Sequence, residues 1–345
     1  MQKRVQPVVL AGGSGTRLWP ISTEKRPKHL LEIVGTGSMF EQTLARVGSP
    51  DRFLPPIVVG SKSQSEEIGR LAPGARLILE PCPRGSAAAI ALAALATDPD
   101  SILLILPSDH HITDPSPLFD AIAKGLPVAE AGRLITFGIR PSHAETGFGY
   151  IAGGDPIADG VFEARSFIEK PAKDVATDLI ATGAAFWNSG MFMFQSAALQ
   201  REFSRHAPDI LESAKAAMDS AATDGNCVTP DRGLFETCRN TSIDYAVMEA
   251  SDHIAVIPIQ LDWSDVGSWA AVFDLEPKND AGNVLDDRSH SLGSRNCLVR
   301  STGPQIVTIG TESLIVIATG DHVLVAPLSE AQRVREAAEL FRSRS

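Results

Sequence analysis

Gly12, Gly13 and Gly15 follow the apolar run Pro7-Val8-Val9-Leu10 after Ala11, and Thr16 and four cations, Arg17, Lys25, Arg26 and Lys28, come after them. Glycine lets the backbone turn with positive φ and brings its N–H groups against an anion with no Cβ in the way. Pro20 and Pro27 stiffen the segment that carries the cations, so the charges are expected to be held over the loop. A strand that empties into such a loop predicts a polyphosphate site with Gly12, Gly13, Ser14, Gly15 and Thr16 as its cradle. Two familiar glycine loops are excluded. A Walker loop needs Gly-Lys-Ser/Thr where this chain has Gly15-Thr16-Arg17, and the dinucleotide fingerprint needs a third glycine where it has Leu18.

Acids at the ends of buried strands supply the complementary chemistry. Ile102 to Leu106 is an apolar run that delivers Pro107-Ser108-Asp109-His110-His111. An acid at the tip of a buried strand suits Mg²⁺, which takes one or two carboxylates together with substrate phosphates and water, and Asp109 is the first expected ligand. His110 and His111 are expected to be loop residues, because neighbours on an extended chain point apart. A second apolar strand ends at Glu80 and runs into Pro81-Cys82-Pro83-Arg84-Gly85-Ser86. Guanine offers two adjacent donors, N1–H and N2–H, that one such carboxylate accepts together.

The run Gly12 to Pro20 resembles the signature of the sugar-nucleotide pyrophosphorylases, GGxGTRLxP, with Pro27-Lys28 as the Pro-Lys pair that follows it. Trp19 and His29-Leu30-Leu31 are most similar to the mannose-1-phosphate guanylyltransferase branch. Further strings agree: Ile168-Glu169-Lys170-Pro171, Trp187-Asn188-Ser189-Gly190-Met191-Phe192, Ile243 to Glu249, and Asp265-Val266-Gly267-Ser268-Trp269. The chain departs from that branch at Arg84-Gly85-Ser86-Ala87, where the family has Arg-Asn-Thr-Ala. The resemblance implies that Arg17 and Lys28 are catalytic and that Leu10, the loop residues 12 to 16, Glu80, Gly85 and Ser86 bind the nucleotide. It further implies sugar-phosphate contacts at Gly149, Glu169, Lys170 and Asn188, with Asp265 joining Asp109 on Mg²⁺, while Asp244 is expected to be a supporting residue. Glu169 can accept two sugar hydroxyl bonds while Lys170 neutralises the sugar phosphate. The implied reaction joins GTP and mannose 1-phosphate to give GDP-mannose and pyrophosphate. The alternatives are another nucleotide with glucose or heptose 1-phosphate, or a sugar-nucleotide-binding regulator without turnover. Retention of Arg17, Lys28, Asp109 and Asp265 together counts against the regulator.

These residues need a scaffold. Strands at 57–59, 76–80, 102–106 and 134–139 alternate with helical segments at 38–47, 63–71, 87–96 and 118–131, which predicts a doubly wound α/β fold. With the family, the expectation is a mixed, mainly parallel sheet of the nucleotidyltransferase, GT-A-like type over residues 1–281. Gly147, Phe148, Gly149 and Tyr150 alternate glycine with aromatics and predict an antiparallel hairpin there. From Gly282 short β-rich pieces are separated by Gly or Asp turns, and in the family this region, 282–345, is a small left-handed β-helix. The helix expected over 329–341 carries Val334, Ala337, Ala338 and Phe341 on one side, and a second copy of the chain is the expected partner for that face.

At 345 residues and a net charge of -11, the chain is large enough for two domains and lacks the excess cations that nucleic acid or an anionic membrane would select. Cys82, Cys227, Cys238 and Cys297 show no metal spacing, as expected for cytoplasmic thiols. No apolar stretch reads as a signal peptide or a membrane span. A cytoplasmic homodimer is the expectation.

Overall fold

The computed structural model describes residues 4–13 and 15–342. The chain forms two compact units, one of the residues up to Gly12 with 43–108 and 112–262, the other of Gly13–Gln42, Asp109–His111 and the residues from Trp263 onward.

The first unit is built on an eleven-stranded sheet. In chain order its strands are β1 Gln6–Ala11, β2 Ile57–Ser61, β3 Arg76–Glu80, β4 Ile102–Pro107, β5 Leu134–Ile139, β6 Tyr150–Ala158, β7 Val161–Ile168, β8 Ala185–Gln195, β9 Ala222–Asp224, β10 Cys227–Thr229 and β11 Ile254–Ile259. Across the sheet they run β9-β10-β3-β2-β1-β4-β8-β5-β11-β7-β6. Strands β3, β2, β1 and β4 are mutually parallel, which buries them on both faces and explains their unbroken Val, Ile and Leu runs. Strand β8 then runs antiparallel to both β4 and β5, so the sheet is mixed as expected. The register pairs Leu10 with Pro107, Ala11 with Gly60 and Ser61 with Glu80. The carboxyl ends of β1, β3 and β4 therefore lie along one edge, where parallel sheets bind their ligands.

The helix Gly85–Leu95 packs on that parallel core and against the helices Ser196–His206 and Pro208–Asp219. Its side chains from Ala87 to Ala94 are all buried, and alanine is what lets sheet and helices close on both sides of it. The helix Met39–Arg46 starts with a capping box: Glu41 N donates to Ser38 Oγ (3.2 Å) while Ser38 N donates to Glu41 Oε2 (2.9 Å).

One element falls elsewhere than the sequence predicts. Residues 145–149 form a loop, and the antiparallel hairpin is the next element, β6 with β7. Tyr150 pins the loop, accepting from Glu145 N (2.9 Å) and donating to Glu145 O (3.0 Å). The glycine–aromatic alternation copies a strand's period of two, but its cause is close approach: a Cβ on Gly149 would strike the Glu169 carboxylate.

In the second unit, Val284–Leu285, Leu298–Ser301 and Leu314–Ala318 stack in parallel, and so do Ser289–Leu292 and Ile306–Ile309. This is the expected β-helix. Val323–Pro327 closes it by pairing antiparallel with Leu314–Ala318. A 3-10 turn, Leu328–Arg333, leads into the last helix, Val334–Arg342, whose Val334 and Ala338 are buried in this unit's own core, so the face expected to meet a second copy is covered within the chain. Among the described residues no helix is long and apolar enough to cross a membrane.

The alanine helix makes a stability prediction. Ala91→Leu adds three carbons where nothing can yield, and should cost ~1–3 kcal/mol in urea unfolding. An unchanged midpoint would show that the layer has slack.

Candidate functional site

The glycine loop leaves β1 through Gly12 and turns with left-handed backbone at Gly13 (φ 89°) and Gly15 (φ 60°). Added Cβ atoms at Gly12 and Gly13 would meet open space, but one at Gly15 would strike the Lys28 Cβ. Gly15 is thus fixed by packing as well as by φ. Ser14 lies outside the described residues. The short 3-10 turn Thr16–Leu18 holds Arg17 exposed, with Leu18 buried (1% exposed) and Trp19 after it (8%). Lys25 and Arg26 do not share this role. They project into solvent from a turn closed by Arg26 N donating to Thr23 Oγ1 (3.2 Å).

Lys28 is buried, and its Nζ makes two short contacts, 2.8 Å to Asp109 Oδ2 and 2.6 Å donating to the Asp265 carbonyl. One ammonium thus contacts the carboxylate of the first expected metal ligand and the backbone of the second. Desolvation by its surroundings pulls the Asp109 carboxyl upward, but the Lys28 charge, with His110 and the Lys28 hydrogen bond, outweighs it and holds the group at about 2. The Asp265 carboxylate is aimed by its own turn: Gly267 N donates to Oδ1 (3.1 Å), and Val266 sits in the left-handed region at φ 47°. A β-branched residue there is strained, and Val266 is fully buried. His110 is fixed too, accepting from Trp263 Nε1 at Nδ1 (3.2 Å). His110 lies in a loop as expected, whereas His111 opens the short strand His111–Ile112.

Asp109 and Asp265 are hard oxygen donors, and Asp109 is held ionised. Among the described residues no group of three or more His, Cys, Asp or Glu side chains is arranged as a metal site. A two-acid set still fits a hard divalent cation whose remaining positions are taken by water and phosphate oxygens.

In the first unit the sugar-phosphate candidates converge. Glu169 sits at the end of β7, its side chain 7% exposed, with Oε1 accepting from Lys170 Nζ (2.7 Å). Its Oε2 is buried against Gly149 and has no hydrogen-bond partner among the described residues. Such an atom costs free energy until a donor arrives, and a sugar hydroxyl is one. Burial acts to lower the Lys170 ammonium, but the hydrogen bond and charge of Glu169, with Asp244 adding to them, raise it above its ordinary value. Asn188 accepts from Gly190 N at Oδ1 (3.0 Å), donates from Nδ2 to Asp244 Oδ1 (2.8 Å), and its backbone N donates to Gly149 O (2.8 Å).

Two residues carry more than the sequence suggested. Asp244 holds Asn188, and Glu249 Oε1 accepts from Glu169 N (2.8 Å). Acids five apart would diverge by about 140° on an α-helix, at roughly 100° per residue. Residues Asp244–Met248 instead form a π-helical turn, closed by Glu249 N donating to Asp244 O (2.9 Å), which turns both acids to the same pocket. The signal was the matched string Ile243 to Glu249, with an acid near each end.

Glu80 ends β3 as expected, and burial raises its carboxyl to about 8. Gly85 and Ser86 are engaged within the fold. Gly85 has φ 79° and a Cβ there would strike the Thr241 carbonyl, while Ser86 Oγ accepts from Ile243 N (3.0 Å). Leu10 O accepts from Ser108 N (3.1 Å), tying the end of β1 to β4.

Residues 6–281 match the family model described as nucleotidyl transferase, and residues 287–339 match the mannoseP isomerase/GMP-like beta-helix domain. A mannose-1-phosphate guanylyltransferase of Escherichia coli is 36% identical over 97% of this chain and 74% of its own length. The alginate biosynthesis protein AlgA of Pseudomonas aeruginosa is 38% identical over 95% of this chain and 70% of its own. A crystal structure from Thermus thermophilus, named as a mannose-1-phosphate geranyltransferase, matches with a TM-score of 0.87 at 32% identity, over 99% of this chain and 100% of that one.

Asp244 makes the pocket pH-dependent. Burial first, then the Glu169 charge, raises its carboxyl to about 6. The fold therefore takes up a proton between the ordinary carboxylate value, ~3.9, and that point, and stability falls as pH rises through this window. Asp244→Asn keeps an acceptor for Asn188 and has no charge to bury. Urea unfolding from about pH 4 to 7 should show the variant gaining on the parent by ~1–2 kcal/mol, partial exposure screening the rest of the shift. A difference that stays flat with pH would rule out a buried charge as the cause.

Proposed function

The chain belongs to the nucleotidyl transferase family, and on that premise we propose that it makes GDP-mannose and pyrophosphate from GTP and mannose 1-phosphate. The observation that carries the reaction type is the Lys28 ammonium held against Asp109 and the Asp265 carbonyl; the substrate pair follows the names of relatives aligned over nearly the whole chain. On this reading residues 1–281 are the nucleotidyltransferase domain and 282–345 the β-helix module with its terminal helix.

A phosphate monoester dianion is already a nucleophile near neutral pH, so no covalent residue is needed, and catalysis is positioning plus charge stabilisation. A mannose 1-phosphate oxygen attacks the α-phosphorus in line, the bond to the β-phosphate oxygen breaks, and pyrophosphate leaves toward the loop of residues 12 to 16. Arg17 and Lys28 neutralise the charge that grows on the α-phosphate and the leaving group. Mg²⁺ on Asp109 and Asp265 supplies further neutralisation when bound. Glu169 and Asn188 take the sugar hydroxyls beside the Gly149 backbone, and Lys170 takes the sugar phosphate. Glu80 accepts from guanine N1–H and N2–H, with Gly85 and Ser86 shaping the wall beside it. The enzyme acts in the cytoplasm as a homodimer, for which the exposed Leu292, Val307 and Ile309 of the β-helix offer an apolar face.

The direct test is pyrophosphate release with Mg²⁺, crossing GTP, ATP, UTP and dTTP with mannose 1-phosphate and glucose 1-phosphate. Release should be confined to GTP with mannose 1-phosphate. Another productive pair would move the specificity, and none at all would defeat the enzyme reading. Arg17→Ala should lower kcat by about 10²-fold, as loss of one charge-stabilising donor does elsewhere.

Glu80 adds a pH signature. Two donors on guanine call for the ionised carboxylate, whereas the free site holds it protonated up to about pH 8. GTP binding should release a proton, and affinity should rise by up to tenfold per pH unit as that point is approached from below. Calorimetric titration without sugar phosphate reads the slope, which Glu80→Gln should flatten. A flat profile in the parent would remove Glu80 as the base reader.

A further inference from the structure

The turn that carries Arg17 is anchored by side chains far away in the sequence. Trp19 lies flat on Phe341 of the last helix, ring centroids 5.0 Å apart and planes 17° apart. His322 meets both rings edge-on, 5.2 Å from Trp19 and 5.0 Å from Phe341. The Trp19 carbonyl accepts from Trp269 Nε1 (2.9 Å). Leu18 and Trp19 share one buried cluster with Val266 and Trp269, with Ile315, Ile317 and Leu324 of the β-helix, and with Val334 and Ala338 of the last helix. The turn's own hydrogen bonds, Leu18 N to Gly15 O (3.0 Å) and Trp19 N to Thr16 O (3.2 Å), end where this cluster begins. Arg17 is exposed and has no burial of its own to fix it.

We infer that the last helix is part of the transfer machinery: Phe341, by stacking on Trp19, is a positioning residue for Arg17. The inference rests on the proposed reaction, in which Arg17 neutralises the α-phosphate and leaving group. The geometry separates the effects. Loosening Trp19 frees the turn that holds Arg17, whereas the sugar-phosphate contacts at Glu169, Lys170 and Asn188 belong to the other compact unit. A positioning loss therefore falls on kcat and on the nucleotide, leaving the KM for the sugar phosphate where it was. Small misplacement is enough, because a shift of about 1 Å in a charge-stabilising group can cost up to 10²-fold in rate.

Two measurements test this on the full-length chain. In the first, Phe341→Ala should lower kcat about tenfold with an unchanged KM for mannose 1-phosphate, and Phe341→Tyr, which keeps the flat ring, should restore it. In an Arg17→Ala background, Phe341→Ala should cost nothing further, since the two residues act through one contact. Equal cost in both backgrounds, or a loss that merely tracks the fraction unfolded, would overturn the inference. Phe341→Leu preserves apolar cover and stands in if Phe341→Ala does not fold. The second measurement needs no turnover. Hydrogen exchange at the amides of Leu18 and Trp19 should quicken in the variant, while those of the sugar pocket stay as they were. Unchanged exchange would refute the clamp even in an active enzyme. Quickened exchange in a protein that releases no pyrophosphate with any substrate pair would uphold the clamp and defeat the reaction instead.

Discussion

A single buried ammonium organises the second unit. Lys28 is 7% exposed, and a cation taken out of water must find oxygen partners or lose its proton. It finds the Asp109 carboxylate and the Asp265 carbonyl, and so joins positions 237 residues apart along the chain. Removing one member of such a pair costs ~3–5 kcal/mol when both are fully buried, and less where one keeps some solvent, as Asp109 does. The constraint spreads outward. Gly15 must be glycine because Lys28 passes beneath it, Asp109 stays ionised because Lys28 faces it, and Val266 is held at a left-handed φ beside the carbonyl that Lys28 binds. The same ammonium neutralises the Asp109 carboxylate while it holds the backbone of Asp265 in place.

The pocket around Glu169 is built on the opposite principle, an incomplete set of bonds. Glu169 has one oxygen on Lys170, its backbone N–H on Glu249 and its other oxygen without a donor among the described residues. Asn188 has its carbonyl oxygen committed to Gly190 and its amide drawn toward Asp244. These commitments fix orientation before any ligand arrives, which is how a polar pocket avoids losing binding energy to rearrangement. The unsatisfied oxygen is the remaining cost, and a hydroxyl donor relieves it.

The sheet was legible because burial writes itself into composition. Strands β1, β3, β4 and β5 are apolar runs, and β3 and β4 lead into Glu80 and Asp109, so both the strands and those two acids could be read from the chain. Other features are set by contacts between distant segments. The alternation around Gly149 has the period of a strand, yet its cause is the Glu169 carboxylate twenty positions on. Lys25, Arg26 and Lys28 look alike as a basic run, but only the Lys28 side chain turns inward to meet oxygens, and nothing local marks it apart from the proline before it. Ser86 reads from the chain as a nucleotide contact, and its hydroxyl also accepts from Ile243 N, in a segment that only the fold brings near. The π-helical turn has no composition signature, so Asp244 and Glu249 could be matched as a string without their shared direction being visible.

The discontinuity of the second unit follows from the same physics. Arg17, which the proposed reaction sets against phosphate, is exposed, so its neighbours have to hold the backbone in its place. Leu18 and Trp19 do this, but a 3-10 turn of three residues has no core of its own to bury them in. The apolar surface has to come from elsewhere in the chain, and the β-helix and last helix provide it together with Val266 and Trp269. That cluster overdetermines the backbone at Val266, where an exposed β-branched residue would relax out of the left-handed region. The same core therefore holds the exposed cation and keeps the strained turn of Asp265 in place, so a module that looks appended in sequence is continuous with the signature segment in packing.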